Sequence, residues 1–405
     1  MNVSNDRPRL RVLAILGTRP EAIKMAPVVR ALQARPDVFN VRVCATAQHR
    51  EMLDQVLSLF GIVPDIDLDL MRAGQSLSGL GARVLAGLDP VLVAERPDWV
   101  LVQGDTTTVA MAALAAQHRQ VRVGHVEAGL RTGDRRNPFP EEMNRVVTDH
   151  VSDLCFVPTE RARQNLVQEG ILDWRIRVTG NTVVDALRWV ARQPPTPKVA
   201  ELLHQLGVGE LRERRASGSS APSAPLLPRS PASMLLVTAH RRENFGRPLE
   251  RICRALREIA QRGDGKVHLV YPVHPNPSVH GPVHHLLDGV DRVTLLPPVD
   301  YLALVHLMKR STLILTDSGG IQEEAPSLGV PVLVLREMTE RPEAVEAGVA
   351  RVVGTDTERI VAEVFRLLDD PDAHAAMARP VNPYGDGHAA ERIVEALMAW
   401  GGDGG

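Results

Sequence analysis

The sequence predicts an α/β protein made of two doubly wound parallel sheets with a cleft between them. Short apolar runs alternate with longer amphipathic segments along the whole 405-residue chain, and such alternation marks strands covered by crossover helices. The alternation lapses once, between residues 192 and 233, and then resumes. Right-handed crossovers would bring the C-terminal ends of the strands to one edge of each sheet, where ligands bind in open α/β folds.

Strands are expected at 12–16, 41–45, 99–102, 121–123, 154–157 and 176–178, with helices between them such as 52–60, 109–117 and 182–191. The Leu/Met/Val stripe of 52–60 has helical spacing and reads as core packing. Residues 1–192 thus form a first domain. Residues 193–233 read as a linker, with a short helical piece at 199–206. Its part from 212 onward is rich in Arg, Ser, Ala and Pro and buries too little apolar surface to order itself. Strands at 235–238, 267–270, 293–296, 312–315 and 331–335, with helices at 249–261, 301–309 and 358–368, give a second domain over 234–385. The last helix, 389–400 within 386–405, is free to pack back on the first domain.

Composition narrows the function. A formal net charge of −2 and 3% aromatics argue against nucleic acid and membrane surfaces as partners, which call for basic stripes or stacking platforms. Cys44, Cys155 and Cys253 lie far apart in apolar segments and read as buried reduced thiols. The N-terminus lacks an apolar signal-like run, and no segment of about 18 apolar residues is expected to span a bilayer. A soluble cytoplasmic protein is the expectation.

The most informative run is Thr316-Asp317-Ser318-Gly319-Gly320-Ile321-Gln322-Glu323-Glu324. A strand that ends in Ser-Gly-Gly at a helix start aims backbone N–H groups and the positive end of the helix dipole outward. The glycines let a diphosphate approach the backbone. Glu323 and Glu324 follow one turn later, where a carboxylate could hold sugar hydroxyls. Upstream, Gly17-Thr18-Arg19-Pro20 turns from the first strand into a helix. It places Arg19 and Lys24 at the ligand edge, with the Arg19 guanidinium suited to phosphate oxygens.

Three acids stand at comparable strand ends. Asp105 ends its strand and also reads as a cap for Thr106-Thr107-Thr108. Glu127 follows His125-Val126, and Glu141 opens a helix. Converging carboxylates are what proton transfer at carbon requires. His125 and Arg131 stand near enough to orient or neutralise them. In the second half, His240, Arg241 and Arg242 follow a strand and could face the diphosphate. Gln48 and His49 close another strand as candidate ligand contacts. The histidines at 274, 280, 284 and 285 sit among prolines that predict a wandering loop, without ligand spacing for a metal.

Several motifs coincide with one family. GTRPEAIKMAP, TAQHREMLDQ, QGDTTT, HVEAGLRTG, NPFPEEMNR, TAHRRENFG, TDSGGIQEEAPSLG, ERPEAVEAG and NPYGDG run in order from about residue 12 to 400. Together they resemble bacterial non-hydrolysing UDP-N-acetylglucosamine 2-epimerases. The resemblance implies a GT-B fold of two Rossmann-like domains, a homodimer, no cofactor and no metal. The implied reaction is reversible epimerisation at carbon 2, by UDP elimination to a 2-acetamidoglucal and re-addition, serving surface polysaccharide synthesis.

By the same resemblance Asp105, Glu127 and Glu141 are catalytic acids and His240 stabilises departing UDP. Arg19, Lys24, Ser318, Gly319, Gly320, Glu324 and Arg341 would contact the UDP-sugar, with Glu324 on the ribose. Gln48, His49, Arg241 and Arg242 lie in motifs tied to an activating second substrate molecule. Pro298-Val299-Asp300-Tyr301 and Leu304 depart from the pattern on the uracil side, so no base contact is assigned there. A 2-epimerase of a modified UDP sugar, such as a diacetamido uronic acid, and a GT-B glycosyltransferase remain alternatives.

Overall fold

The computed structural model describes residues 8–46, 50–72, 74–208 and 233–400. It divides into two compact units, residues 1–186 with 384–405, and residues 187–383. The first unit holds one parallel sheet of β1 (Leu10–Leu16), β2 (Phe39–Ala45), β3 (Ile66–Asp67), β4 (Trp99–Gln103), β5 (Arg122–Val126), β6 (Leu154–Val157) and β7 (Ile176–Val178). Its order is β3-β2-β1-β4-β5-β6-β7. All five residues of β4 are buried, as expected for a parallel strand covered on both faces.

The second unit repeats the plan with six parallel strands. These are β8 (Ser233–Thr238), β9 (Val267–Pro272), β10 (Val293–Leu296), β11 (Leu313–Thr316), β12 (Val332–Val334) and β13 (Ala350–Val352), in the order β10-β9-β8-β11-β12-β13. Both orders reverse beside the first strand of the unit, between β1 and β4 and between β8 and β11. Loops leave such a switch point in opposite directions and open a crevice there. The chain places its most polar strand ends at these two points, Gly17–Arg19 with Asp105 in one unit and His240 with Asp317–Gly319 in the other.

Three expectations from sequence need correction. Helix Leu77–Glu95 is long and apolar enough to cross a membrane by length and composition. Here Leu80, Val84, Leu88 and Leu92 form a stripe in the core of the first unit. The prolines near residue 277 do not make a wandering loop, because helix Pro277–Leu287 forms there. Asn276 caps it by accepting from Ser278 N (2.9 Å), and Pro277 stands in the first turn, where its missing N–H is not needed. Helix Pro197–Gln205 belongs to the second unit rather than to a linker. It buries Val199 and Leu203 and packs against helix Tyr301–Arg310, where Arg310 Nε donates to Val208 O (3.2 Å). The expectation for 212–233 falls almost wholly outside the described residues.

The C-terminal helix Ala389–Trp400 groups with the first unit. Trp400 meets Trp99 edge-on (ring centroids 5.6 Å) and stacks on Trp174 (5.5 Å). Cys44, Cys155 and Cys253 are buried free thiols, and burial pushes Cys44 and Cys253 up to about 12.

Candidate active site

In the first unit the β1 end is fastened to its helix by a capping box. Thr18 is extended and its hydroxyl accepts from Glu21 N, while the Glu21 carboxylate turns back on Gly17 N (2.6 Å) and Thr18 N (3.2 Å). The other Glu21 oxygen accepts from Thr106 Oγ1 (2.9 Å), so this buried side chain joins the β1 and β4 turns across the switch point. Burial raises the Glu21 carboxyl above its ordinary range, against the pull of these donors. The box sets the first helical turn, which carries half-buried Arg19 and, a turn later, Lys24.

Lys24 is committed to an acid: its Nζ pairs with Glu127 Oε1. The same oxygen accepts from Asn181 Nδ2 (2.9 Å), and Oε2 accepts from Gln103 Nε2 (2.5 Å). Glu127 is 9% exposed and holds the left-handed backbone, φ 68°. A non-glycine residue persists there only when its surroundings over-determine it. Here three donors and the end of β5 do so.

Helix Glu141–Val151 opens with Glu141 and fastens Asp105 through its next turn. Asn144 Nδ2 donates to Asp105 O (2.9 Å), and Arg145 donates through Nε and Nη2 to Asp105 Oδ2 (3.1 and 2.8 Å). Arg145 also pairs with buried Glu142 (3.0 Å), whose other oxygen accepts Thr132 N and Gly133 N. Asp105 Oδ1 is left unengaged among the described residues. Glu141 Oε2 is buried without a hydrogen-bond partner among them.

Behind these acids lies a buried network. His125 bonds Asp149 Oδ1 through Nδ1 (2.6 Å) and Gly104 O through Nε2 (2.8 Å), and Arg131 reaches Asp149 Oδ2 (2.7 Å) and Glu169 (2.7 Å). Burial alone would raise the Asp149 carboxyl, but His125 and Arg131 outweigh it and hold it below its ordinary range. His125 and Arg131 therefore orient the loops that carry Asp105 and Glu127.

Gly129 completes the turn after Glu127, with φ 80° and a Cβ position only 2.4 Å from Ala162 O. That oxygen belongs to helix Glu160–Gln168 and cannot yield cheaply. Gly129→Ala should destabilise the protein by about 3 kcal/mol, read by urea denaturation.

In the second unit Asp317 is fully buried and ties the β8 loop to the β11 end. It accepts from His240 N (2.9 Å), Arg241 N (2.8 Å) and Asn244 Nδ2 (2.9 Å). Tyr271 Oη supports the same loop from below by donating to Ala239 O (2.7 Å). His240 stacks on His274 (ring centroids 5.3 Å). Burial, then Arg241 and His274, hold the imidazole below its ordinary 6.5, with Asp317 opposing them.

Ser318 starts helix Gly319–Glu324 without using its hydroxyl as a cap. A Cβ on Gly319 would lie 3.7 Å from Arg241 Nη2 and 3.8 Å from Arg341 Nη2, so two guanidinium groups converge over the Ser318-Gly319-Gly320 turn. Arg341 pairs with buried Glu323, and Glu324 Oε2 accepts from Tyr301 Oη (2.9 Å). This combination of cations and backbone turn suits a diphosphate, with Glu324 held ready for a hydroxyl-bearing group.

Arg241 lies over the Ser318-Gly319-Gly320 turn; Arg241 and Arg242 are both exposed, and Gln48 and His49 lie outside the described residues. Among the described residues no three His, Cys, Asp or Glu side chains are grouped to hold a metal. Sequence reasoning missed Gln103, Asn181, Arg145, Asp149, Tyr301 and the part played by Asp317. Gln103 left one signal, a polar side chain at the end of an otherwise apolar strand.

The family model described as UDP-N-acetylglucosamine 2-epimerase matches residues 30–398. The UDP-N-acetylglucosamine 2-epimerase of Salmonella typhimurium is 54% identical over 391 residues, covering 96% of this chain and 99% of that protein. The Escherichia coli K12 protein of that name is also 54% identical, covering 96% and 98%. A UDP-GlcNAc 2-epimerase of Neisseria meningitidis, solved bound to UDP-GlcNAc, superposes with a TM-score of 0.85 at 44% identity, covering 96% of this chain and all of that one.

Proposed function

The chain belongs to the UDP-N-acetylglucosamine 2-epimerase family, and on that premise we propose that it interconverts UDP-N-acetylglucosamine and UDP-N-acetylmannosamine. The observation that carries the reading is the donor set on Glu127, a carboxylate fixed by Lys24, Asn181 and Gln103 in the unit that also carries Asp105 and Glu141.

The proton on carbon 2 is next to no carbonyl, so simple deprotonation and return is too costly. Loss of that proton to a carboxylate, with the C1–O bond breaking and its electrons leaving on UDP, gives a neutral 2-acetamidoglucal. Protonation of carbon 2 from the other face and re-addition of UDP to C1 complete the epimerisation. Asp105, Glu127 and Glu141 share the proton transfers. Of the three, Asp105 offers a free oxygen beside a fixed cation, and Glu141 an oxygen with no competing donor. Arg19, Arg241, Arg341, His240 and the Ser318 turn stabilise departing UDP, and Glu324 takes the ribose.

The exposed side of helix Leu77–Glu95 that carries Ala82, Ala86, Pro90 and Val93 is apolar and supports a homodimer. The buried thiols support a cytoplasmic setting.

The test is incubation with UDP-N-acetylglucosamine in deuterated water, followed by NMR at carbon 2. Deuterium entering both epimers without acceptor is expected. Turnover only when a sugar acceptor is added, or binding without exchange, overturns the reading.

With its folded pKa depressed, His240 favours the fold above its ordinary 6.5 and that contribution is lost as pH falls. A bound diphosphate reverses the penalty on the charged ring, so binding takes up a proton. Calorimetry of UDP-N-acetylglucosamine at pH 6.5 in buffers of different ionisation enthalpy should show the uptake, and His240→Asn should abolish it.

A further inference from the structure

Asn181 is buried and bonded through its peptide and its amide alike. Its backbone N–H donates to Tyr384 O (2.6 Å), and its carbonyl accepts from Val184 N (3.0 Å). Oδ1 accepts from Val183 N (3.0 Å), capping helix Thr182–Ala191, while Nδ2 donates to Glu127 Oε1 (2.9 Å). Its place in the chain matters as much as its bonds. The division between the units falls inside that helix, between Ala186 and Leu187, and the chain re-enters the first unit at Tyr384. Asn181 therefore holds both stretches through which the chain passes from one unit to the other, and it holds Glu127.

The two stretches cross closely. Gly180 has φ 89° and Gly385 φ 139°; a Cβ on Gly385 would lie 3.2 Å from Gly180 Cα and 3.4 Å from Asn181 N. One turn along the helix, Asp185 Oδ1 accepts from Ala390 N (2.9 Å) and fastens the same two stretches again. A shift of residues 384–385 must therefore move Asn181, and its amide cannot move without altering the donors on Glu127.

We infer that Asn181 is a positioning residue for Glu127, through which the two chain passages set the orientation and charge state of that carboxylate. The inference rests on the carbon-2 chemistry proposed above. An amide donor favours the ionised carboxylate; without it, Lys24 and Gln103 remain.

Exchange by the wild-type enzyme alone tests the reaction, whereas ratios among variants that bind UDP as the wild type does test the role of Asn181. Asn181→Asp keeps the cap but turns a second carboxylate toward Glu127. It should lower kcat for carbon-2 exchange about 10- to 100-fold, leave KM little changed, and move the kcat–pH profile to higher pH. Asn181→Ser, whose hydroxyl can still cap, guards against misfolding and should show the same loss with a smaller displacement. Gly385→Ala should also lower kcat, and the Asn181→Ser/Gly385→Ala double variant should fall no further than the worse single one. Wild-type kcat and pH profile in both Asn181 variants would overturn the inference. So would losses that multiply in the double variant, because Gly385 would then act independently of Asn181.

Discussion

Glu127→Gln should abolish most carbon-2 exchange, lowering kcat by about 10²- to 10⁴-fold while UDP affinity stays near that of the wild type. The substitution keeps size and shape but replaces one carboxylate oxygen by an NH2 group. Glu127 faces Lys24 and Asn181 on one oxygen and Gln103 on the other, so the new NH2 meets a donor in either orientation. About 1–3 kcal/mol of stability should go with the lost bond, visible as a lower urea midpoint. Apart from Arg19, the proposed UDP contacts lie in the second unit, on the segments after β8, β11 and β12, which the change does not touch. Full solvent deuterium exchange in this variant would remove Glu127 from the proton transfers.

Gly319→Val should slow exchange about 10²- to 10³-fold even at saturating substrate. Its backbone does not need glycine for conformation, and the added Cβ meets only guanidinium groups at 3.7 and 3.8 Å. The variant should therefore fold with an unchanged circular dichroism spectrum. The valine methyl groups would stand between Arg241 and Arg341, where phosphate oxygens are expected to sit. A raised KM with unchanged kcat would mean that the turn binds UDP without helping it leave. The predicted loss in kcat follows from donors being needed most when charge develops on the departing oxygen.

Much of this was legible from local pattern. The switch-point strands were visible as apolar runs, and Asp105, Glu127 and Glu141 stood out because each follows or opens a predicted element. What stayed hidden were the partners. Gln103 reaches Glu127 because β4 lies beside β5 in register, Gln103 opposite Val126. Asn181 arrives from 54 residues away beyond β7. Arg145 and Asp149 share a helix with Glu141, but their bonds to Asp105 and His125 depend on how that helix lies across the sheet. Proline chemistry misled at 272–282, where Pro277 begins a helix instead of preventing one. Sequence periodicity reports which face is buried; strand order decides what the polar ends meet.

The aromatic cluster of the first unit has a spectroscopic consequence. Of the chain's four tryptophans, Trp99, Trp174 and Trp400 cluster together, and the fourth, Trp189, lies on helix Thr182–Ala191, where the chain changes unit. Intrinsic emission thus reports the first unit through three tryptophans and the second only through Trp189, close to its start. A thermal melt followed by tryptophan fluorescence should weight loss of the first unit over loss of the second, and a UDP-binding assay over the same temperatures gives the comparison.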